Sequence, residues 1–262
     1  MIAILTDVTK CIGCWQCVDA CARVNGLGPD WRAPQDLNDG LSARRWTSIV
    51  TPASGHYVRK QCRHCLEPAC VSVCPVGALY KTPEGAVVYD SNKCMGCRYC
   101  MMACPYGIPR YQWDAAVPLV RKCTFCYDRL KANLLPACVE ICPKQATIFG
   151  EREALLAEAH RRLRAEPNKY IQRVYGEHEV GGTSVLYISD VPLDFLSYTS
   201  NLTEKPLPDL TWVAMASVPP VALGVMALMA GTYWVIKRRM QLMGNSNALP
   251  NHQAESEHGN TK

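Results

Sequence analysis

A long apolar segment near the C-terminus differs from the mixed pattern of the rest of the chain. Residues 210–236 contain no charged side chain, and as a helix they would be about 40 Å long at 1.5 Å per residue. A bilayer core needs only about 30 Å. Trp212 lies near one end, and Tyr233 and Trp234 lie near the other, an arrangement typical of membrane interfaces. The segment predicts one transmembrane helix over residues 210–236, with a buried soluble helix as the alternative.

The residues around this segment predict its placement. Pro219 and Pro220 predict a kink. Residues 237–262 are polar and predict a disordered tail, which begins with three cations, Lys237, Arg238 and Arg239. Positive charge close to a span is retained in the cytoplasm. We therefore expect a cytoplasmic tail, with the remainder of the chain across the membrane on the periplasmic side of a bacterial cell.

Before the apolar segment, short runs predict strands and one longer run predicts a helix. Strands are expected within residues 44–50, 56–60, 78–81 and 86–89, and the run "GGTSVLYISDVPL" predicts a turn that leads into a strand. Residues 52–55 and 83–85 contain proline and glycine and predict turns. The run "EREALLAEAHRRLRA" predicts an amphipathic helix with Leu155, Ala159 and Leu163 on one stripe. Together these elements predict an α+β fold.

Composition adds one unusual feature, the sixteen cysteines in 262 residues. Small secreted domains are rich in cysteine because they cannot build a core, but this chain is long enough to build one. The net charge of +5 comes without long basic runs in the body of the chain, so nucleic-acid binding is not expected. The N-terminus "MIAILTDVTK" shows neither a basic region nor a twin-arginine motif, and we expect no signal peptide.

The cysteines form four groups of four. They are Cys11, Cys14, Cys17 and Cys21; Cys62, Cys65, Cys70 and Cys74; Cys94, Cys97, Cys100 and Cys104; and Cys123, Cys126, Cys138 and Cys142. The first and third have the spacing C-x2-C-x2-C-x3-C, the second has a wider central gap, and the fourth has eleven residues there. Proline follows every group except the first, where Ala22 stands. The run C-x2-C-x2-C-x3-C-P is the signature of bacterial ferredoxins.

This spacing suits iron–sulfur chemistry. Three thiolates close together can bind three irons of one cubane, because the backbone between them turns around it. The fourth cysteine begins a short helix that leads away, so it ligates the neighbouring cluster. Structural zinc instead prefers two separated C-x2-C pairs, and disulfides between cysteines so close in sequence would be strained. The pattern predicts four 4Fe–4S clusters.

The hairpin predicted between the second and third groups is typical of a ferredoxin module. We therefore predict an inner two-cluster module over residues 56–112, nested within an outer one formed by residues 1–55 and 113–205. The fourth-cysteine rule then predicts four ligand sets. They are set A, Cys11, Cys14, Cys17 and Cys142; set B, Cys21, Cys123, Cys126 and Cys138; set C, Cys62, Cys65, Cys70 and Cys104; and set D, Cys74, Cys94, Cys97 and Cys100.

Several side chains near the cysteines have two interpretations. The cations Lys10, Lys60, Lys93, Lys122, Arg63, Arg98 and Arg121 could form a solvated surface or raise the potential of nearby anionic clusters. Trp31, Trp46 and His64 are interpreted as packing residues. No nucleotide-binding loop and no catalytic triad is recognisable, so no catalytic residue is predicted.

Three segments together resemble a known family: "KQCRHCLEPACVSVCPVGAL", "CMGCRYCMMACPYGIPRY" and "CTFCYDRLKANLLPACVEICPKQATIFG". They are similar to the iron–sulfur (beta) subunits of membrane-bound respiratory oxidoreductases, especially those of formate dehydrogenases and of a quinone-linked nickel–iron hydrogenase. The eleven-residue gap, the stretch "PQDLNDGLSARRWTSI" and the missing twin-arginine signal favour the formate dehydrogenase branch.

The resemblance implies an electron-transfer subunit that is not an enzyme by itself. It would relay electrons from a catalytic subunit to a membrane cytochrome b or another quinone-reactive subunit. The sequence also implies such a membrane partner, because residues 210–236 contain no histidine that could bind a haem. The expected catalytic partner is a molybdenum or tungsten pterin formate dehydrogenase. The alternatives are a nickel–iron hydrogenase and a molybdopterin reductase with reversed electron flow; a zinc-stabilised membrane scaffold is a remote alternative. We expect export as a folded passenger of a partner that carries the signal.

Overall fold

The computed structural model describes residues 1–28, 40–51, 55–196 and 202–246. Within these ranges it has nine short strands: β1 Ile2–Asp7, β2 Thr47–Val50, β3 Val58–Gln61, β4 Leu79–Lys81, β5 Val87–Tyr89, β6 Arg110–Tyr111, β7 Val120–Arg121, β8 Thr147–Glu151 and β9 Val185–Ile188. The same ranges contain seven α-helices: α1 Gln16–Val24, α2 Ala69–Ser72, α3 Tyr99–Ala103, α4 Tyr127–Lys131, α5 Ala137–Glu140, α6 Arg152–Ala165 and α7 Leu207–Ser246. The mixture of helices and strands agrees with the predicted α+β class. The described residues divide into two compact units, with the boundary between Leu210 and Thr211.

The centre of the first unit is a three-stranded sheet in the order β8-β1-β9. Strand β1 is antiparallel to β8 and parallel to β9. The sequence patterns above did not predict β1, which lies in the short apolar run at the N-terminus. Its residues from Ala3 to Asp7 are all buried, because both faces of the sheet are covered.

The two faces of this sheet contribute to different hydrophobic clusters. Ala3 and Leu5 pack with α6, whereas Ile4 points to the opposite face and packs with Val58 and Phe125. This alternation follows from the two-residue period of a strand. Leu155, Ala159 and Leu163 of α6 are buried in the first cluster, as the apolar stripe predicted.

The other strands form three two-stranded sheets. Strands β4 and β5 are antiparallel and joined through Gly85, whose φ is 112°, so the predicted hairpin between the second and third cysteine groups is confirmed. Strands β2 and β3 also pair antiparallel, as predicted. Trp46 is buried, and its indole N–H donates to the Ala43 carbonyl at 2.9 Å, which agrees with a packing role.

Helix α7 is longer than the predicted span at both ends. It begins at Leu207 and continues to Ser246, so the prediction that residues 237–246 belong to a disordered tail is wrong. The residues after Ile236 include Lys, Arg, Met, Gln and Leu, all good helix formers, and they extend the helix into the polar sequence. The part from Leu207 to Met243 contains an 18-residue window with a mean hydropathy of 1.9 and is long and apolar enough to cross a membrane. Pro219 and Pro220 lie inside it.

Some predicted features lie outside the described residues. They are Trp31, the centre of the turn at residues 52–54, and the tail from residue 247 onward.

Candidate metal centres

Ligand set A is assembled at one edge of the central sheet. Thr6 of β1 pairs with Thr147 of β8; Cys11 follows Thr6 by five residues, and Cys142 precedes Thr147 by five. Because the strands are antiparallel, both cysteines leave the sheet at the same edge. A cavity at this edge is lined by Cys11, Cys14, Cys17 and Cys142, and Cys138 also reaches it.

Two further cavities are lined by the cysteines of one predicted set each. One is lined by the set B cysteines Cys21, Cys123, Cys126 and Cys138. The other is lined by the set D cysteines Cys74, Cys94, Cys97 and Cys100. In both cases one cysteine comes from a sequence group different from that of the other three.

Short helices distribute the cysteines of a group between cavities. Helix α1 carries both Cys17 and Cys21, which are about 6 Å apart along its axis at 1.5 Å per residue. Cys17 lines the set A cavity, and Cys21 lines the set B cavity. Helix α3 carries Cys100, and Cys104 lies directly at its end. The third and fourth cysteines of a group therefore lie near different partners.

The set C cysteines lie close together without lining a separate described cavity. Burial raises the pKa of the Cys65 thiol well above its usual value, and the neighbouring thiols Cys104, Cys62 and Cys70 raise it further. The Cys104 sulfur accepts a hydrogen bond from the Ile108 N–H at 3.5 Å. Cys65 is thus surrounded by the other members of its predicted set.

The backbone between the cysteines turns through the left-handed region. Trp15 and Arg98 have φ values of 63° and 62°, which residues other than glycine rarely adopt. Gly13 has a φ of 66°, and a Cβ there would lie 2.4 Å from Cδ1 of Tyr57, so only glycine fits. Such strain concentrates at functional sites, where the surrounding structure maintains it.

These turns direct backbone N–H groups at sulfur. The N–H of Gly96 donates to Cys94 Sγ at 3.4 Å, and that of Ala78 donates to Cys74 Sγ at 3.2 Å. Burial acts to raise the pKa of Cys74, but the N–H groups of Leu79, Val76 and Ala78 contribute the opposite effect and the pKa is lowered. Hydrogen bonds to sulfur stabilise thiolates and are among the factors that set the potential of an iron–sulfur cluster.

The donor set fits a polynuclear cluster. Burial raises the pKa of Cys17 to about 12. It also raises the pKa of Cys70 to about 12, although the charge of Lys122 has the opposite effect. These thiols would therefore become thiolates only beside a strong positive charge such as a metal. Among the described residues, no three His, Cys, Asp or Glu side chains lie close enough to hold a single metal ion. At least four cysteine thiols line each of the three cavities above, and four thiolates are the donor set of a 4Fe–4S cluster.

Contacts between cysteines of different sets give the sets an order. Cys138 lines the cavities of both set A and set B. Cys123 of set B and Cys62 of set C belong to one buried cluster. Cys70 of set C packs against the buried cluster that contains Cys100 of set D. The sets are therefore neighbours in the order A, B, C, D.

Burial separates the seven predicted cations. Lys10, Lys93 and Arg98 are exposed, as a solvated surface requires, and Arg121 is half-buried. Lys60, Arg63 and Lys122 are buried, so the interpretation of a solvated surface is wrong for these three.

Each buried cation has protein neighbours near the cysteines. The ammonium of Lys60 donates to the Leu196 carbonyl at 2.7 Å. The guanidinium of Arg63 lies 4.4 Å from the centre of the Tyr187 ring. The Lys122 ammonium donates to the carbonyls of Val87 and Cys123 and lies 3.9 Å from Cys62 Sγ, between sets B and C.

His64 has a packing role, as predicted. Its ring packs at 4.5 Å from that of Phe125, and its Nδ1 accepts a hydrogen bond from the Val87 N–H at 2.9 Å. Burial, aided by Lys122 and Lys81, holds its pKa well below the usual value. The ring is therefore neutral.

Sequence reasoning missed Arg59, which lies on β3 and lines the set A cavity. Its side chain is buried, with 2% of the residue exposed. Burial acts to lower its pKa, but Cys138 and Cys17 act more strongly together and the pKa is raised, so it remains a cation. The available signal was a charged residue within the predicted strand "HYVRK", close to Cys62.

Comparison with known proteins agrees with an iron–sulfur function. The family model described as "4Fe-4S dicluster domain" matches residues 53–152, which contain the whole of the second, third and fourth groups. A protein of Nitratidesulfovibrio vulgaris is 43% identical over 256 residues, covering 94% of this chain and 69% of that protein.

Two named relatives are subunits or operon products of oxidoreductases. The hydrogenase-2 operon protein HybA of Escherichia coli O157:H7 is 40% identical over 235 residues, covering 74% of this chain and 72% of HybA. The formate dehydrogenase iron-sulfur subunit of Haemophilus influenzae is 34% identical, covering 87% of this chain and 78% of that subunit. With its sixteen cysteines and dicluster domain, the chain belongs to the family of iron–sulfur electron-transfer subunits of respiratory oxidoreductases and is not itself the catalytic subunit.

Proposed function

We propose that the chain holds four 4Fe–4S clusters in ligand sets A to D and that these form its electron relay. The observation that carries the proposal is that three cavities are each lined by the four cysteines of one set, although each set combines two sequence groups. Each cluster, when bound, supplies reversible one-electron transfer. The cysteines hold the clusters, and the N–H groups directed at sulfur stabilise their negative charge.

The nested modules follow from the same ligand sets. Sets A and B combine the first and fourth groups, whereas sets C and D combine the second and third. We assign sets A and B to an outer module, residues 1–55 and 113–205, and sets C and D to an inner module, residues 56–112. Cys123 and Cys62 lie in one buried cluster, with Lys122 beside Cys62, so the modules adjoin where sets B and C meet.

The row of sets determines where partners must bind. Set A and set D are the terminal sets, and electrons enter at one and leave at the other. A catalytic subunit occupies one end, and a cytochrome b or other quinone-reactive membrane subunit occupies the other. Residues 210–236 contain no histidine, so any haem in this assembly is held by that partner.

Helix α7 anchors the chain in the bacterial cytoplasmic membrane. Its length and hydropathy suit a bilayer, and its small residues Gly224, Ala227 and Gly231 would allow close packing against a partner helix. The cluster-binding part faces the periplasm and the C-terminus the cytoplasm, because Lys237, Arg238 and Arg239 follow the span.

The catalytic partner that we favour is a hydrogenase. Identity to the hydrogenase-2 operon protein is 40%, against 34% for the formate dehydrogenase subunit, which reverses the order expected from the motif spacing. A formate dehydrogenase is the second candidate, since that relative aligns with more of this chain, 87% against 74%.

Purification of the tagged chain in mild detergent under anaerobic conditions tests the partner. We expect a large catalytic subunit to co-purify, with nickel in the complex for a hydrogenase, or with molybdenum or tungsten for a formate dehydrogenase. Mass spectrometry identifies the subunit and elemental analysis identifies the metal, with an untagged strain as the control. Iron-loaded chain that reaches the membrane without a large redox subunit would contradict the relay function.

A further inference from the structure

Arg59 is a buried cation at the junction of sets A and B. It lines the set A cavity together with Cys17 and Cys138, and Cys138 also lines the set B cavity. Its position is fixed by β3, which pairs with β2 through Ile49 opposite Arg59. The guanidinium is therefore held close to thiols of both sets.

The hydrogen bonds of this guanidinium are incomplete. Nη2 donates to the Thr6 hydroxyl at 3.4 Å, whereas Nε and Nη1 have no hydrogen-bond partner among the described residues. Burial of a charge with unsatisfied donors is costly unless an anion lies next to it. The nearby groups that can supply negative charge are the cysteine thiolates and the sulfide-containing groups that they hold.

We propose that Arg59 raises the reduction potentials of the clusters in sets A and B together, an inference that rests on the proposed four-cluster relay. Reduction adds one electron to a cluster and takes no proton or ligand in this step, so the net negative charge beside Arg59 increases by one. A fixed cation stabilises the reduced state more than the oxidised state, because the attraction grows with that charge. Arg59 acts on the clusters only through the electrostatic effect of its charge, which β3 holds in a fixed position.

Sets C and D should respond much less. A different buried cation lies beside set C, because the Lys122 ammonium is 3.9 Å from Cys62 Sγ. Arg59 is not among the residues that line the set D cavity. The effect of Arg59 is therefore expected to be confined to two of the four clusters.

Redox titration of the anaerobic complex, followed by electron paramagnetic resonance, measures this effect. We expect Arg59→Met to lower the potentials of two clusters by about 59 mV, which is a tenfold change in the ratio of reduced to oxidised cluster for one electron. The other two potentials should stay within a threefold change in that ratio. Arg59→Lys keeps the charge, so the potentials of the same two clusters should stay close to those of the unaltered complex.

Arg152→Met is the matched control. Arg152 is also a buried arginine, but it donates to the backbone carbonyls of Thr183 and Glu177 and lines no cysteine cavity described above. Its loss should leave all four potentials unchanged even if stability falls.

The outcomes distinguish this inference from the proposed function. If the unaltered complex lacks four reducible clusters, the proposed function fails. If it has them and Arg59→Met shifts none, or shifts all four equally, the role of Arg59 is overturned. Arg59→Gln, which keeps a donor for Thr6, is the second neutral variant. If neither neutral variant retains the full iron content, Arg59 is needed for assembly and not for potential, which also overturns the inference.

Discussion

Replacement of Cys74 by alanine is expected to abolish the cluster bound by Cys94, Cys97 and Cys100, although Cys74 belongs to a different sequence group. These four cysteines line one cavity. The Ala78 N–H donates a hydrogen bond to Cys74 Sγ at 3.2 Å, which favours the thiolate form of Cys74. The cluster that we assign to Cys62 and its set should persist. The protein should therefore lose one of four paramagnetic centres and about a quarter of its iron.

The reciprocal variant Cys104→Ala is the matched control for this prediction. It removes the fourth cysteine of the third group and should abolish the cluster of set C while leaving that of set D. Iron analysis and electron paramagnetic resonance of both variants can be compared directly. Loss of the set C cluster in Cys74→Ala, with the set D cluster intact, would show that each group binds its own cluster.

An all-or-none result is expected for the orientation of α7. Lys237, Arg238 and Arg239 follow the apolar segment, whereas the ten residues before Leu210 contain a single basic residue, Lys205. Positive charge near a span is retained in the cytoplasm. In spheroplasts, an added protease should reach a tag at the N-terminus and leave a tag at the C-terminus intact.

Permeabilised spheroplasts, in which both tags should be cleaved, are the control for tag accessibility. Cleavage of the C-terminal tag from outside, with protection of the N-terminal tag, would reverse the orientation. The chain would then serve an enzyme on the cytoplasmic side. Substitution of the three cations by glutamine should weaken the preference for a cytoplasmic C-terminus and give a mixture of chains in the two orientations.

Local patterns predicted the elements whose partners are close in sequence. The hairpin of β4 and β5 was predictable because its two alternating runs are joined by a turn containing Gly85. Helix α6 was predictable because its apolar stripe repeats with the helical period. The four cysteine groups were recognisable because the spacing of cluster ligands is imposed by the geometry of the cluster itself; the assignment of cysteines to sets A to D stays a prediction.

Features that depend on distant parts of the chain were not predictable in this way. Strand β1 pairs in parallel with β9, where Ile4 is opposite Val185, and no local signal in a short apolar run indicates such a partner. The burial of Arg59, Lys60 and Lys122 likewise depends on which elements cover them. A charged residue in a sequence is normally expected at the surface, and tertiary packing overrides that expectation here.

We propose that the sixteen cysteines hold four 4Fe–4S clusters. The iron and acid-labile sulfide content of the anaerobically purified chain, with the spin count of the fully reduced protein, tests this proposal. We predict four irons and four sulfides for each of the four ligand sets, a broad absorption near 400 nm that bleaches on reduction, and four reducible centres. Stoichiometric zinc without sulfide, or iron and spins for only two clusters, would contradict the claim.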